Sequence, residues 1–207
     1  MSDFGGGDPV PSIDRRVAIV VERIDAANAE DPECIQTAAG PRPKELVHGE
    51  RASAWLERVD PEATAVQHIA ARGHHICRWE LSRADYPTGR AGYLQWRTTQ
   101  KKRHAERVGA LMADAGFTAD EIDEAGRIIR KQALGSWPAA QTHEDVLCLV
   151  FLELQFEGFA QAQGPVKTAD IVRKTAAKMS ERGLTLVGEV GLSDASMAQI
   201  TGALASA

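Results

Sequence analysis

Aromatic residues and cysteines are scarce in this sequence. Phe, Trp and Tyr together make up 5% of 207 residues, whereas Ala, Leu, Ile, Glu and Arg are plentiful, which favours helix over sheet. The three cysteines, Cys34, Cys77 and Cys148, form no CxxC pair and are odd in number. We therefore expect no disulfide framework and predict a reducing, cytoplasmic setting.

Long apolar runs and familiar enzyme fingerprints are also missing. The longest apolar run, VLCLVFL, spans seven residues before Glu153, far fewer than the roughly 20 that a membrane helix needs. The N-terminal MSDFGGGDPVPS has neither a basic nor an apolar region, so we expect no signal peptide there. No P-loop, GxSxG or Rossmann motif occurs, which removes several common enzyme classes.

Length, charge and helix signals together predict one all-α domain, a multi-helix bundle. A chain of this length suits a single core, and the net charge of −5 argues against bulk nucleic-acid binding but leaves room for a local basic groove. We predict a flexible arm over residues 1–11, the helical domain over residues 12–181, and a Gly/Ala-rich tail over residues 182–207 with a short helix from Asp194.

Capping and breaking signals locate the predicted helices. Ser12 is the expected N-cap of the first helix, Pro61 the expected first residue of the third, and Thr142 the expected cap of the most apolar helix. Gly116 fits a position just past a helix end. The predicted spans are 13–30, 44–59, 61–81, 94–115, 119–134, 144–159 and 166–180, with no strand pair.

Three histidines lie in the third predicted helix. At roughly 100° per residue, Ile69 and its neighbours form the core stripe, His68 and His75 share the opposite face with Trp79, and His74 lies on the flank. A helix with two organised faces is usually covered on both, so the second face is a candidate site. The alternative is that these histidines are merely exposed or hydrogen-bonded.

Two further residues are candidate ligands from other helices. His104 shares a face with Val108 and is predicted to point inward. Asp145 opens a helix that is apolar nearly all round, and a carboxylate buried there needs a cation, a metal or strong donors. The alternative for Asp145 is an acid in the first turn of that helix, favoured by the helix dipole.

Four segments of the sequence resemble an uncharacterised family. They are PRPKELVHGERASAWLERV, AARGHHICRWELSRADYPTGRAGYLQWRT, HAERVGALMADAGF and EDVLCLVFLELQF. Together they resemble domain-of-unknown-function family 4202 of bacteria and fungi over roughly residues 13–183. Some members are labelled glutamyl-tRNA synthetase, but no HIGH- or KMSKS-like element occurs here.

The order of these motifs is also similar to that of the HD-domain metal hydrolases, an all-α superfamily. On this resemblance His48 matches the first histidine, His74-His75 the His-Asp doublet, His104 an additional histidine, and Asp145 the closing aspartate. It implies a metal held by His48, His75, His104 and Asp145. Because the aspartate of the doublet is missing, we expect one metal or none, not two.

A basic and aromatic segment follows the histidines. Arg97 and Lys101 stand one helical turn apart, near Tyr93 and Trp96. They could clamp a phosphate or carboxylate while a ring stacks on a base. The alternative is a solvated cationic helix face.

These observations lead to two functional hypotheses. The first is a metal-dependent phosphohydrolase, with a metal oxygenase as a variant, in which Fe, Mn, Zn or Co lowers the pKa of its bound water. Its anionic small-molecule or nucleotide substrate is held by a set of basic and aromatic side chains, with Lys131 as the catalytic residue. The set comprises Arg78, Trp79, Tyr93, Arg97 and Lys101.

The second hypothesis is a non-catalytic module. It would bind a nucleotide, RNA or a protein partner through Tyr93, Trp96, Arg97 and Lys101, with RNA the less favoured ligand. Neither hypothesis involves a membrane, and both allow a homodimer.

Overall fold

The computed structural model describes residues 15–205 and consists of helices with one short hairpin. The helices are α1 (Arg15–Asn28), α2 (Lys44–Val59), α3 (Ala65–Arg72), α4 (Gly89–Asp114), α5 (Ala119–Ile129), α6 (Pro138–Leu154), α7 (Phe156–Gln163), α8 (Pro165–Ala176), α9 (Glu181–Thr185) and α10 (Asp194–Ala205). The strands are β1 (Cys34–Thr37) and β2 (Gly40–Pro43). Within residues 15–205, no helix combines the length and apolarity that crossing a membrane requires.

The prediction of an all-α, multi-helix fold is confirmed, but the prediction that the chain has no strand pair is wrong. β1 and β2 pair antiparallel, with Cys34 opposite Pro43 and Thr37 opposite Gly40. Gly40 has a positive φ of 101°, which lets the chain reverse within the tight turn. The two prolines of β2 disguise the strand in the sequence, because proline usually demotes a strand assignment.

The third helix is much shorter than the sequence pattern predicted. Thr64, not Pro61, begins it through a capping box, in which Gln67 N donates to Thr64 Oγ1 at 3.3 Å and Thr64 N donates to Gln67 Oε1 at 2.9 Å. The helix ends at Arg72, and Cys77 adopts a left-handed φ of 49°. The helical faces predicted for the residues after 72 are therefore wrong.

Other helix ends agree with the sequence only in part. Gly116, at φ 82°, and the capping box of Thr118 lie where they were predicted. The apolar helix α6, however, starts at Pro138 rather than after Thr142, because proline is suited to a first helical position. α4 begins at residue 89, and α5 ends at residue 129. The expected cap Ser12 and the expected arm over residues 1–11 lie outside the described residues.

Two hydrophobic cores meet along α3. The first core joins α1, α3, α4 and α5, and the second joins α2, α6, α7, α8 and the segments after residue 182. Side chains at the centre of the first include Val20, Ile24, Ile69, Val108, Met112 and Ile128. Those of the second include Trp55, Leu56, Leu149, Phe156, Val172 and Ile200. The turn that leaves α3 therefore emerges between the two cores.

Gly73, where α3 ends, generates a stability prediction. A Cβ there would lie 2.5 Å from Val108 Cγ2 and 3.2 Å from Ile24 Cδ1. We expect Gly73→Ala to lower the free energy of unfolding by about 1–3 kcal/mol through overpacking, measured by urea denaturation. Gly158 in α7 meets no atom within 4 Å, so Gly158→Ala should be neutral or stabilising. Equal effects of the two substitutions would contradict this packing.

Candidate metal centre and anion cleft

Five histidines gather where the two cores meet. His48 comes from α2, His74 and His75 from the turn after α3, His104 from α4 and His143 from α6. Ring centroids lie 4.1 Å apart for His74–His75, 5.7 Å for His75–His104, 5.9 Å for His48–His75 and 6.5 Å for His74–His143. Imidazoles from four parts of the chain thus form one cluster, with His75 at its middle.

A buried carboxylate, Glu45, completes the cluster. Its Oε2 atom lies 3.0 Å from His48 Nδ1 and 3.0 Å from His75 Nδ1, and the side chain is 3% exposed. One ligand atom from each of these three residues lies within 4.8 Å of the other two. Glu45 was not among the site residues predicted from the sequence. The signal was its place three residues before His48, because residues i and i+3 share a helix face.

Backbone hydrogen bonds fix Glu45 from both sides. Asp31 Oδ2 accepts from Glu45 N at 3.0 Å, and Asn28 Nδ2 donates to Glu45 O at 3.4 Å. Asn28 Oδ1 also accepts from Cys77 N at 3.0 Å. Asn28 therefore links the start of α2 to the turn that carries His75. This bond helps to hold Cys77 in a left-handed conformation that non-glycine residues seldom adopt.

The protonation states suit metal binding. Burial alone would raise the pKa of Glu45, but the two neighbouring histidines outweigh burial and hold that pKa well below its ordinary range. Burial lowers the pKa of His75 to about 4, so its imidazole is neutral. Its Nδ1–H donates to Glu45, while Nε2 accepts from Arg78 Nη1 at 3.3 Å. An ionised carboxylate and a neutral imidazole are the forms in which these groups bind a metal ion.

The group fits a divalent metal ion. The three ligand atoms lie within 4.8 Å of one another, and a shared ion would be held by bonds of about 2.0–2.2 Å. His48 Nε2 is buried and has no hydrogen-bond partner among the described residues, which is unfavourable unless another group engages it. Two imidazoles and a carboxylate are the ligand types that Fe, Mn, Zn and Co accept.

His104 lies in the cluster but is occupied by other contacts. Its Nδ1 donates to His74 O at 2.6 Å, and its Nε2 lies 3.1 Å from Gln100 Oε1. Burial lowers the pKa of His104 to about 3. His104 is not part of the three-residue group. Through its bond to His74 O, it holds the turn that carries His74 and His75 in place.

The structure does not bring Asp145 to the group. Ser180 N donates to Asp145 Oδ1 at 2.8 Å, Gln141 Nε2 donates to the same oxygen at 3.0 Å, and Ser180 Oγ donates to Oδ2. The carboxylate thus anchors the start of α9. The alternative of a first-turn acid is wrong, because α6 begins seven residues earlier, at Pro138.

A basic cleft opens beside the histidine cluster. Its outer part has a volume of about 400 Å³, and an inner chamber of about 60 Å³ continues from it. The predicted ligands Arg78, Tyr93, Arg97, Lys101 and Lys131 all line one or both parts. On α4, residues 93, 97, 101 and 104 share one helix face, so one helix supplies an aromatic ring, two cations and a histidine.

Two predicted aromatic contacts lie elsewhere. Trp79 packs against the first core instead of lining the cleft, because the helix that would have turned it toward His75 ends at Arg72. The Arg78 guanidinium carbon lies over the Trp96 ring, 4.7 Å from the ring centroid. Trp96 Nε1 donates to Leu81 O at 3.0 Å. Trp96 therefore supports Arg78 from behind.

Lys131 lies at the junction of the two cavities. Its Nζ pairs with Glu144, which also lies 3.9 Å from Lys178 Nζ. Lys131 has a left-handed φ of 57°, and such backbone strain concentrates at functional sites. Sequence reasoning missed Glu144, Lys178 and the buried His143 as cleft residues. The predicted helix started at residue 144 and so left His143 outside it, whereas α6 starts at Pro138.

Comparison with known proteins identifies the family. The family model for the domain of unknown function DUF4202 matches residues 18–200. No curated protein and no solved structure matches the chain. The matched span includes every residue of the candidate centre and cleft. Because it covers most of the sequence, the chain belongs to the DUF4202 family.

Proposed function

We propose that this protein is a cytoplasmic, metal-dependent hydrolase of HD-like type that acts on a phosphorylated or other anionic small molecule or nucleotide. The observation that carries the proposal is the buried Glu45–His48–His75 group beside a cation-lined cleft. Metal-assisted hydrolysis requires a set of metal ligands in contact with a site that binds an anionic substrate.

The order of the histidines supports the HD-like assignment. The resemblance to HD-domain enzymes pairs His48 with the His74-His75 doublet, and His48 and His75 do lie together. The doublet lacks its aspartate, and Glu45 supplies a carboxylate in its place. The group has three protein ligands, so we propose one metal ion, either Fe, Mn, Zn or Co.

Each residue has a distinct role in this proposal. A bound divalent ion would supply Lewis acidity and lower the pKa of a water molecule. Glu45, His48 and His75 would hold that ion. Arg97 and Lys101 bind the anionic group of the substrate. Lys131, positioned by Glu144, stabilises negative charge that develops during reaction.

The alternative function is a non-catalytic nucleotide-, RNA- or protein-binding module. One observation favours it, namely the exposed ring of Tyr93, 43% accessible. Arg97 lies 5.7 Å from the centroid of that ring, and Trp96 lies 6.1 Å from it. A base could stack there without any metal.

Metal content tests the proposed centre. We expect protein purified without a His tag, stripped and then offered Fe, Mn, Zn or Co, to retain close to one equivalent by elemental analysis. His48→Ala and Glu45→Gln each remove a group in contact with the ion, so metal affinity should fall at least about 10–100-fold.

Two variants serve as controls for the metal test. His68 lies on α3 outside the cluster, and His68→Ala should retain the metal. Asp145→Ala should also retain it, while lowering the free energy of unfolding by about 1–3 kcal/mol because the start of α9 loses its acceptor. Wild-type protein that retains less than about a tenth of an equivalent would contradict the centre, since structural zinc and iron sites bind far more tightly.

Hydrolysis tests the reaction. The metal-loaded protein should release inorganic phosphate from at least one member of a panel of phosphoesters. Lys131→Met should lower kcat/KM by about 10²-fold, because one charge-stabilising group is lost. His68→Ala should leave kcat/KM unchanged. A protein that binds nucleotides without hydrolysing any, and loses that binding in Tyr93→Ala, would favour the binding module instead.

A further inference from the structure

The inner chamber is a small recess that leads off the outer cleft. The two cavities share His75, Arg78, Arg97, Lys131 and Leu147. Side chains that line only the inner chamber are His74, Gln100, Lys101, His104, Ile129 and His143. All of these except Lys101 are buried, so they close the chamber on the side away from the outer cleft. A molecule in the cleft can therefore place only its end group in the chamber.

The chamber has an excess of positive charge. Four cations line it, and no carboxylate does. Arg78 lies 3.8 Å from Glu45 Oε1, and Lys131 pairs with Glu144. Arg97 and Lys101, by contrast, form no ion pair with any residue in the described part of the chain. Two of the four cations that line the chamber thus have no ion-pair partner among residues 15–205.

Lys101 is the one cation of the four that lines the inner chamber without also lining the outer cleft. Burial, together with the nearby charges of Lys131 and Arg97, lowers the pKa of Lys101 to about 8. A half-buried ammonium among other cations is unfavourable by itself, and an anion placed beside it removes that penalty. The arrangement therefore favours a chamber with an anion bound over a chamber without one.

The volume of the chamber limits the size of that anion. A cavity of about 60 Å³ has room for roughly four water molecules on the scale of one probe sphere each. A single tetrahedral phosphate group is of this size. A phosphate seated here can carry one substituent, which must extend toward the outer cleft, whose volume is about 400 Å³. A second substituent would meet the buried wall of His74, Ile129 and His143.

We propose that the inner chamber binds a terminal phosphate through Arg97 and Lys101, so that the substrates are phosphate monoesters and not diesters. This inference rests on the proposed hydrolase function and names its substrate class. His75 lines the chamber and also belongs to the metal-binding group, so the seated phosphorus lies next to the candidate centre.

The corresponding reaction is hydrolysis of the ester P–O bond. The oxygen of water forms a new bond to phosphorus, and the ester P–O bond breaks with its electron pair remaining on the alcohol oxygen. That oxygen takes up one proton of the water. The products are the free alcohol and inorganic phosphate, and no other reactant is needed.

Phosphate binding to metal-free protein tests this inference separately from hydrolysis. Full-length protein treated with a chelator is titrated with inorganic phosphate, phenyl phosphate and diphenyl phosphate by calorimetry. We expect phosphate and phenyl phosphate to bind and diphenyl phosphate to bind at least about tenfold more weakly. Lys101→Met keeps the length of the side chain and removes its charge, so phosphate affinity should fall at least about tenfold.

The neighbouring Lys102 provides the matched control. It lies on the same helix, is 71% exposed and pairs with Glu106, so Lys102→Met should bind phosphate as wild type does. Arg97→Met is the second test variant, and thermal unfolding checks that each variant is folded. Wild-type affinity for phosphate in Lys101→Met and Arg97→Met, or equal binding of diphenyl and phenyl phosphate, would overturn the inference.

The metal and phosphate results can fail separately. Phosphate binding that depends on Lys101, in a protein that holds no metal, supports the chamber and contradicts the hydrolase. A protein that holds metal and hydrolyses diesters but shows no Lys101-dependent phosphate binding contradicts the chamber alone.

Discussion

One buried carboxylate organises the candidate site. Glu45 Oε2 contacts His48 from its own helix and His75 from a turn 30 residues later. A charge buried to this degree is strongly unfavourable unless it is paired, so the two imidazoles and Arg78 must remain close to it. The backbone of Glu45 is held in turn by Asn28 and Asp31. The end of α1, the start of α2 and the turn after α3 therefore depend on one polar contact set.

Charge is separated across the site. Glu45 lies in contact with His48 and His75, whereas the inner chamber is lined by the cations Arg97, Lys101 and Lys131 and by no carboxylate. In a protein with a net charge of −5, this concentration of positive charge is local, and a concave, low-dielectric wall strengthens the potential that an anion meets there. A metal ion and an anionic group can then bind side by side without the two ligand sets competing.

The helical class was predictable from the sequence, and so was part of the site. Composition, the capping box at Thr118 and the glycine at 116 indicate helices by local rules that hold wherever the chain packs. Arg97 and Lys101 share a helix face by spacing alone. His48 was selected through the resemblance to HD-domain enzymes, and His75 through that resemblance and its predicted helix face. Neither route pointed to Glu45.

What the sequence by itself determined is the periodic part of the molecule, because helix faces follow from spacing within one segment. Only the tertiary structure decided which segments meet. α3 ends at Arg72, where Gly73 lies too close to Val108 and Ile24 to leave room for a Cβ, and Cys77 beyond it donates to Asn28. Those contacts join residues 35–49 positions apart. They turn His75 toward Glu45. Asp145 instead anchors the start of α9, and no local sequence pattern determines either placement.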